Sequence, residues 1–249
     1  YGVYGVAFGV SVGAFIHMAV KLPGLFRTGF RFRIPLLWWS TRVKEMLALA
    51  LPRILGMSAT QLSLLINTVI ASTLSAGSIA ILNFSSNLES LPVGLIGISV
   101  AVVSFTKLSE YTATNNMPAF KNEISNNLRR MLLLLIPGAA GIFLLRFELV
   151  SLLLGRGKFG EADIVLTANT LGILAPGIIF GGTVFLLARS FYALKNTKTP
   201  VAVGMLAVLS NLVIGGVAAK VLNLGVYGLA LGTSLANVIN ATLLFFFLQ

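Results

Sequence analysis

The 249-residue chain is 57% hydrophobic and 10% charged, with a mean hydropathy of +0.94, which is more apolar surface than a water-soluble domain of this size can bury. Its formal net charge of +11 invites a nucleic-acid reading, but the basic residues sit between apolar runs, where they orient helices against an anionic leaflet, so no nucleic-acid partner is expected. The absence of cysteine excludes disulfides, thiolate catalysis and thiolate metal sites.

Apolar segments recur at about the 20-residue length that a helix needs to cross a ~30 Å hydrocarbon layer, and the short dyad alternation of barrel strands is missing. The expected fold is therefore all-α, a polytopic bundle of about seven spans at 2–20, 46–72, 79–105, 128–152, 164–188, 199–219 and 225–248. Tyr1 enters directly into the first apolar run, with no initiator Met and no signal peptide, so the chain reads as an interior piece of a longer protein. The connection after the first span carries Lys21, Arg27, Arg31, Arg33, Arg42 and Lys44, interleaved with Phe26, Phe30, Phe32, Trp38 and Trp39. It reads either as a segment lying in the headgroup layer or as an ordinary basic loop with an aromatic belt.

Two further connections, 106–130 and 189–198, bring the basic residues on one side to 13 of the 18, against four (Arg146, Arg156, Lys158 and Lys220) on the other. That asymmetry places the richer side in the cytoplasm. Arg53 remains, at the mouth of the second span beside Pro52.

Glu89 is the one carboxylate well inside a span. Burying it costs roughly 2.5–3.5 kcal/mol on insertion scales, which the fourteen Leu, Ile, Val and Phe residues of 79–105 outweigh at roughly 0.3–0.6 kcal/mol each. The helix still inserts, and Glu89 must face protein or water. It is a candidate functional group, or a structural partner of Arg53, or an acid bonded to Ser85 or Ser86. Polar and small residues fall at helical spacing in four stripes: Asn83-Asn87-Ser90-Gly94, Thr60-Ser63-Asn67-Ala71, Thr233-Asn237-Asn240 and Gly204-Ala207-Asn211-Gly215. Each can glue helices together or wall a hydrated cavity. The Gly204 stripe is read as packing, and Asn83 and Asn87, ahead of an expected break at Pro92, as cavity wall. Pro137 and Pro176 are expected to bend their helices.

Gly2-Val3-Tyr4-Gly5 recurs as Gly225-Val226-Tyr227-Gly228, and seven of the ten residues starting at Gly2 and at Gly225 are identical. The second copy falls six spans after the first, which implies a parallel repeat of six-helix bundles. On that reading residues 1–21 are the last helix of an N-terminal bundle, 22–45 a cytoplasmic basic and aromatic linker, and 46–249 a six-helix C-terminal bundle.

A series of motifs in order along the chain carries a family resemblance. They are Leu51-Pro52, Ile66-Asn67-Thr68 with Ala71-Ser72, Gly77-Ser78-Ile79, Asn87-Leu88 with Leu91-Pro92-Val93-Gly94-Leu95-Ile96-Gly97, Leu108-Ser109-Glu110, Arg156-Gly157-Lys158-Phe159, Arg189-Ser190-Phe191-Tyr192-Ala193 and Lys198-Thr199-Pro200. In this order they resemble the MurJ/MviN family of lipid II flippases, within the multidrug/oligosaccharidyl-lipid/polysaccharide exporter superfamily. The resemblance implies a multi-pass protein of the bacterial plasma membrane, corresponding to the family's sixth through twelfth helices. It further implies that the protein carries an undecaprenyl-linked peptidoglycan precursor outward by alternating access. It departs from the family at Asn87, where many members place an arginine, and at Asn67, where some place an acid at a cation site.

Arg53, Asn83, Asn87, Glu89 and Arg189 are the candidate substrate or cavity residues, and Asn67, Asn211 and Thr233 the candidate cation ligands. Arg189 and Arg53 can meet a phosphate bidentately or serve as snorkelling anchors. His17 stands alone, so neither a metal centre nor a cofactor is expected. No nucleotide-binding motif is present, and energy is expected from the membrane potential or from Na+ or H+. Alternatives are a polysaccharide-unit or drug/cation exporter of the same superfamily, an enzyme acting on lipid-linked substrates, and a non-transporting scaffold. The enzyme reading lacks paired carboxylates, a nucleophile with its base, and metal ligands.

Overall fold

The computed structural model describes residues 2–27, 61–157 and 159–248. The basic and aromatic connection beyond Arg27, the mouth of the second span and Arg53 lie outside them. The chain forms two compact units, Tyr1–Leu47 and Ala48–Gln249.

In the first unit α1 covers Gly2–Arg27. It runs seven residues past the expected end, through Pro23, because a proline removes one i→i−4 bond and a strongly apolar helix tolerates that loss.

The first helix described in the second unit is α2 (Gln61–Ser72), which ends in hydroxyl-capped turns: Ser72 Oγ donates to Val69 O and Thr73 Oγ1 to Ile70 O. Gly77, at φ +90°, takes the left-handed conformation that reverses the chain into α3 (Ser78–Pro92). No break follows. Pro92 leads into a π-helical turn, Val93–Ile98, and then α4 (Ser99–Ala113), so the path is one 36-residue span. Proline cannot donate and its ring crowds the preceding turn; the wider π turn accommodates both without ending the helix.

α5 (Met117–Leu144) starts eleven residues before the expected 128. Asn116 caps it by accepting from Ala119 N at 3.2 Å, and Pro118 occupies its first turn. Much of the basic 106–130 connection is therefore helix, closed by a tight turn at Thr114–Asn116. The expected 128–152 span also divides: α5 stops at Leu144, and Arg146–Leu154 forms a separate nine-residue helix, α6.

α7 (Glu161–Ala193) is the central post, with 16 buried residues distributed around its circumference. Asp163 caps its start, accepting from Gly160 N at 3.1 Å. Leu135, Met131 and Leu108 from α5 and α4 bury against Ile178 and Leu186 on one side of it, while Leu244 of α9 and Val203 of α8 pack on Leu187 and Phe191 on the other. α8 (Lys198–Lys220) and α9 (Val226–Leu248) form a hairpin through Gly225, at φ +56°. An added Cβ on Gly232 would lie 2.6 Å from Gly215 Cα, so the two backbones touch. The Gly204 end of the stripe on α8 does not share in this, since no atom lies within 4 Å of a Cβ there.

The five long apolar helices are Ser78–Ala113, Met117–Leu144, Glu161–Ala193, Lys198–Lys220 and Val226–Leu248, and no strand occurs among the described residues. The architecture is the expected all-α transmembrane bundle.

Candidate functional site

The three candidate cation residues come from three helices and meet. Asn67 of α2 donates from Nδ2 to Thr233 Oγ1 of α9 at 3.5 Å, and Asn211 of α8 donates from Nδ2 to Ser63 Oγ of α2 at 2.8 Å. Thr233 spends its own proton on Leu229 O at 3.0 Å. Asn67 and Asn211 are both buried. Each amide thus uses its nitrogen to bind a neighbouring helix, which leaves its oxygen over. The Oδ1 atoms of Asn67 and Asn211 are buried without a donor.

An unmatched buried amide oxygen costs about 1–3 kcal/mol, so each of the two calls for a hydrogen-bond donor or a cation. Gly215 and Gly232 admit the Asn211 oxygen, which would stand 3.3 and 2.9 Å from a Cβ built on them. Amide oxygens and hydroxyls without a carboxylate are chemistry that suits a hard monovalent cation better than a divalent or transition metal. No group of three His, Cys, Asp or Glu occurs among the described residues.

Glu89 and the asparagines of α3 part company. Ser78, Ile81, Leu82, Ser85 and Glu89 are buried and form one stripe, and Ser85 Oγ donates across to Thr167 O of α7 at 3.1 Å. The bond from Ser85 goes to α7, not to Glu89. Asn83, Asn87 and Ser90 point the other way and are exposed, Ser90 Oγ bonding back to Asn87 O at 2.7 Å. Ser85 meets Thr167 and, further along, a Cβ on Gly97 would stand 2.9 Å from Gly182 Cα, so the Ser78–Ala113 span and α7 run side by side in the same direction. Among the described residues Glu89 has neither an ion pair nor a hydrogen bond; its suggested partner Arg53 lies outside them.

Arg189, half-buried on α7, does not stand free. Its Nη1 donates to Ile98 O at 3.1 Å, tying the central post to the last carbonyl of the π turn. A second arginine was counted only as a loop cation in the sequence. Arg146, at the α5–α6 junction, lies with its guanidinium 4.8 and 4.7 Å from the Phe143 and Phe147 rings. It lines a cavity of about 320 Å³ with Asn169, Gly172, Ile173 and Tyr227. The Phe143-Leu144-Leu145-Arg146-Phe147 run, with aromatics three and one residues from the arginine, was the legible signal.

The fold is that of a multi-spanning helical membrane protein, and solved transporter structures share it. It superposes on a multidrug resistance MATE family transporter of the MOP superfamily, in an outward-facing conformation, with TM-score 0.71 and 16% identity, covering 80% of this chain and 43% of the other. It superposes on a lipid II flippase MurJ in an inward closed conformation with TM-score 0.74 and 28% identity, covering 84% and 45%. The chain belongs to the lipid II flippase MurJ family, whose family model matches residues 1–249. A probable lipid II flippase of Vibrio cholerae is 31% identical over 241 residues, 97% of this chain and 46% of that protein. A lipid II flippase of Burkholderia cenocepacia is 31% identical over 254 residues, 98% and 48%. The chain spans about half the length of these curated relatives. The family is one of transporters, not enzymes.

Proposed function

We propose that the protein containing this chain flips lipid II, an undecaprenyl-linked peptidoglycan precursor, across the bacterial plasma membrane, and that a monovalent cation held by Asn67, Asn211 and Thr233 biases its conformations. The observation that carries this reading is the buried oxygen cluster joining α2, α8 and α9 inside a bundle of the family's fold. A bound cation would supply the positive charge that the two amide oxygens lack, and it would fix α2 against the α8–α9 hairpin. Neutral ligands make the site weak and exchangeable, as coupling requires, because an ion that moves a conformational equilibrium must bind its two states unequally and then leave.

The precursor is amphipathic: a polyprenyl tail, a pyrophosphate and a sugar-peptide head. The exposed Asn83, Asn87 and Ser90 face of α3 offers neutral hydrogen bonds to such a head. Arg53 at the cytoplasmic mouth is the group assigned to its phosphates. Glu89, inside the span, is the charge that responds to the membrane potential or to H+.

The test is transport of fluorescent lipid II in proteoliposomes of the full-length protein, with a Na+ gradient or with choline in its place. Outward movement of unmodified lipid II, faster with Na+, supports both parts of the reading. A converted product would end the transport reading, and a rate indifferent to Na+, K+ and choline alike would end the cation reading.

A further inference from the structure

The α5–α6 junction forms a site of a different kind. α5 ends at Leu144; Leu145 bends the chain and Arg146 opens α6. The Arg146 side chain folds back so that Nη1 donates to Phe143 O at 2.6 Å, while the rings of Phe143 and Phe147 hold its guanidinium. Stacking on two rings fixes the orientation of a group that would otherwise carry large rotamer freedom. The stem lies along the central post, because a Cβ added to Gly172 would stand 3.0 Å from Arg146 Cδ and 3.3 Å from Nε. One of its five N–H groups is used; among the described residues the other four meet no acceptor and no carboxylate. The nearby acid of this junction, Glu148, makes no ion pair with it among the described residues.

The cavity of about 320 Å³ beside this fork receives three donor side chains, from Arg146, Asn169 of α7 and Tyr227 of α9, and no acid lines it. A positively charged fork with a carboxamide and a phenol around one space is complementary to a compact anion with several acceptor oxygens. Two features favour a membrane lipid over a soluble ion. The junction lies at the end of the spans opposite the basic connections, where the headgroup layer of the outer leaflet runs. The two helices that meet there expose apolar side chains, Leu144 70% and Leu145 53% at the junction and Leu152 70% and Leu153 53% further along α6, which suits acyl chains.

We infer that this cavity binds the phosphate of an anionic phospholipid of the outer leaflet, through Arg146, Asn169 and Tyr227. Phosphate oxygens take the guanidinium fork edge-on, the Asn169 amide and Tyr227 hydroxyl close the remaining lone pairs, and the acyl chains leave over the leucines of α5 and α6. The lipid joins three segments, the α5–α6 junction, α7 and α9, that share no other polar contact at this level among the described residues. The site shares no residue with the oxygen cluster or with the residues assigned to the cargo.

The test is native mass spectrometry of the full-length protein titrated with phosphatidylglycerol, phosphatidylcholine or inorganic phosphate, for wild type, Arg146→Gln, Arg146→Lys and Tyr227→Phe. Loss of the charged fork is expected to weaken phosphatidylglycerol binding about tenfold or more. Lysine, which keeps the charge but not the fork or the stacking, should recover only part of it, and removal of the single hydroxyl should cost about threefold. Equal phosphatidylglycerol occupancy in wild type and a folded Arg146→Gln would overturn the inference. If Arg146→Gln does not fold, unchanged occupancy in Tyr227→Phe would overturn it instead. Binding of inorganic phosphate that depends on Arg146 at the concentrations where the lipid binds would keep the anion site and overturn its assignment to a lipid. Equal Arg146-dependent binding of phosphatidylcholine would overturn the preference for an anionic headgroup.

Discussion

Gly232→Ala adds one methyl group where α8 and α9 have no room for it. The new carbon would stand 2.6 Å from Gly215 Cα, 2.7 Å from Gly215 N and 2.9 Å from Asn211 Oδ1. Carbon atoms rest at about 3.5–4.0 Å, so the helices must part by about 1 Å and lose the dispersion contacts between them. Overpacking of this kind costs typically 1–3 kcal/mol, and the better helix propensity of alanine returns at most about 1. The expected net loss is about 1–2 kcal/mol. Gly204→Ala, on the same hairpin, meets nothing within 4 Å and is the control, expected to be neutral or up to about 1 kcal/mol more stable. Both are measured by steric-trap unfolding in bicelles. A Gly232→Ala protein as stable as the Gly204→Ala control would refute the argument that backbone contact at this point holds the hairpin.

Three other outcomes are expected. Na+ at ten times its dissociation constant should stabilise the wild-type protein against choline by about 1.4 kcal/mol, and Asn211→Ala should abolish that difference; melting curves in the two salts decide, and an undiminished Na+ effect would remove Asn211 from the site. Glu89→Gln should lower the initial rate of lipid II flipping by about tenfold, worth ~1.4 kcal/mol, with expression unchanged; normal flipping would take Glu89 out of the mechanism. Ser85→Ala deletes the bond from α3 to Thr167 O and should cost about 0.6 kcal/mol, the average for a hydrogen bond between membrane helices, read by the same unfolding assay; a loss above about 2 kcal/mol would mean that Ser85 does more than bridge two helices.

The spans were legible because hydropathy at a 20-residue scale reports burial in lipid directly. Their ends were not. The apolar run across Phe143, Leu144 and Leu145 continues through a helix boundary, since lipid rewards those side chains whether or not the backbone bends beneath them. The early start of α5 could have been read from Asn116 and Pro118, a cap followed by a first-turn proline. Proline after Leu91 was taken as a break, yet in a membrane the cost of freeing backbone groups favours repair within the helix, here by a π turn.

The candidate cation residues were legible only as three separate stripes. Which nitrogen binds which helix, and hence which oxygens are left over, is decided by packing between residues 148 and 166 positions apart. Glu89 was visible as an in-span acid. Its facing was also available from the spacing of Ser78, Leu82, Ser85 and Glu89, which sets it opposite Asn83 and Asn87. Arg146 was missed because a charge tally treats every connection residue alike, whereas its surroundings are made by aromatics on its own junction and a glycine on α7.

The seam between Gly215 and Gly232 divides labour inside the bundle. Two helices in backbone contact behave as a single strut, with no slack through which one could slide past the other. Asn211 and Thr233 ride on that strut, so their spacing is set by the seam. Asn67 and Ser63 reach them from a separate helix, α2, whose Ile70 and Ala71 pack on Ala219, Val226 and Leu229. A shift of α2 against the hairpin would therefore part the Asn67 and Ser63 bonds while leaving Asn211 and Thr233 in place as the anvil.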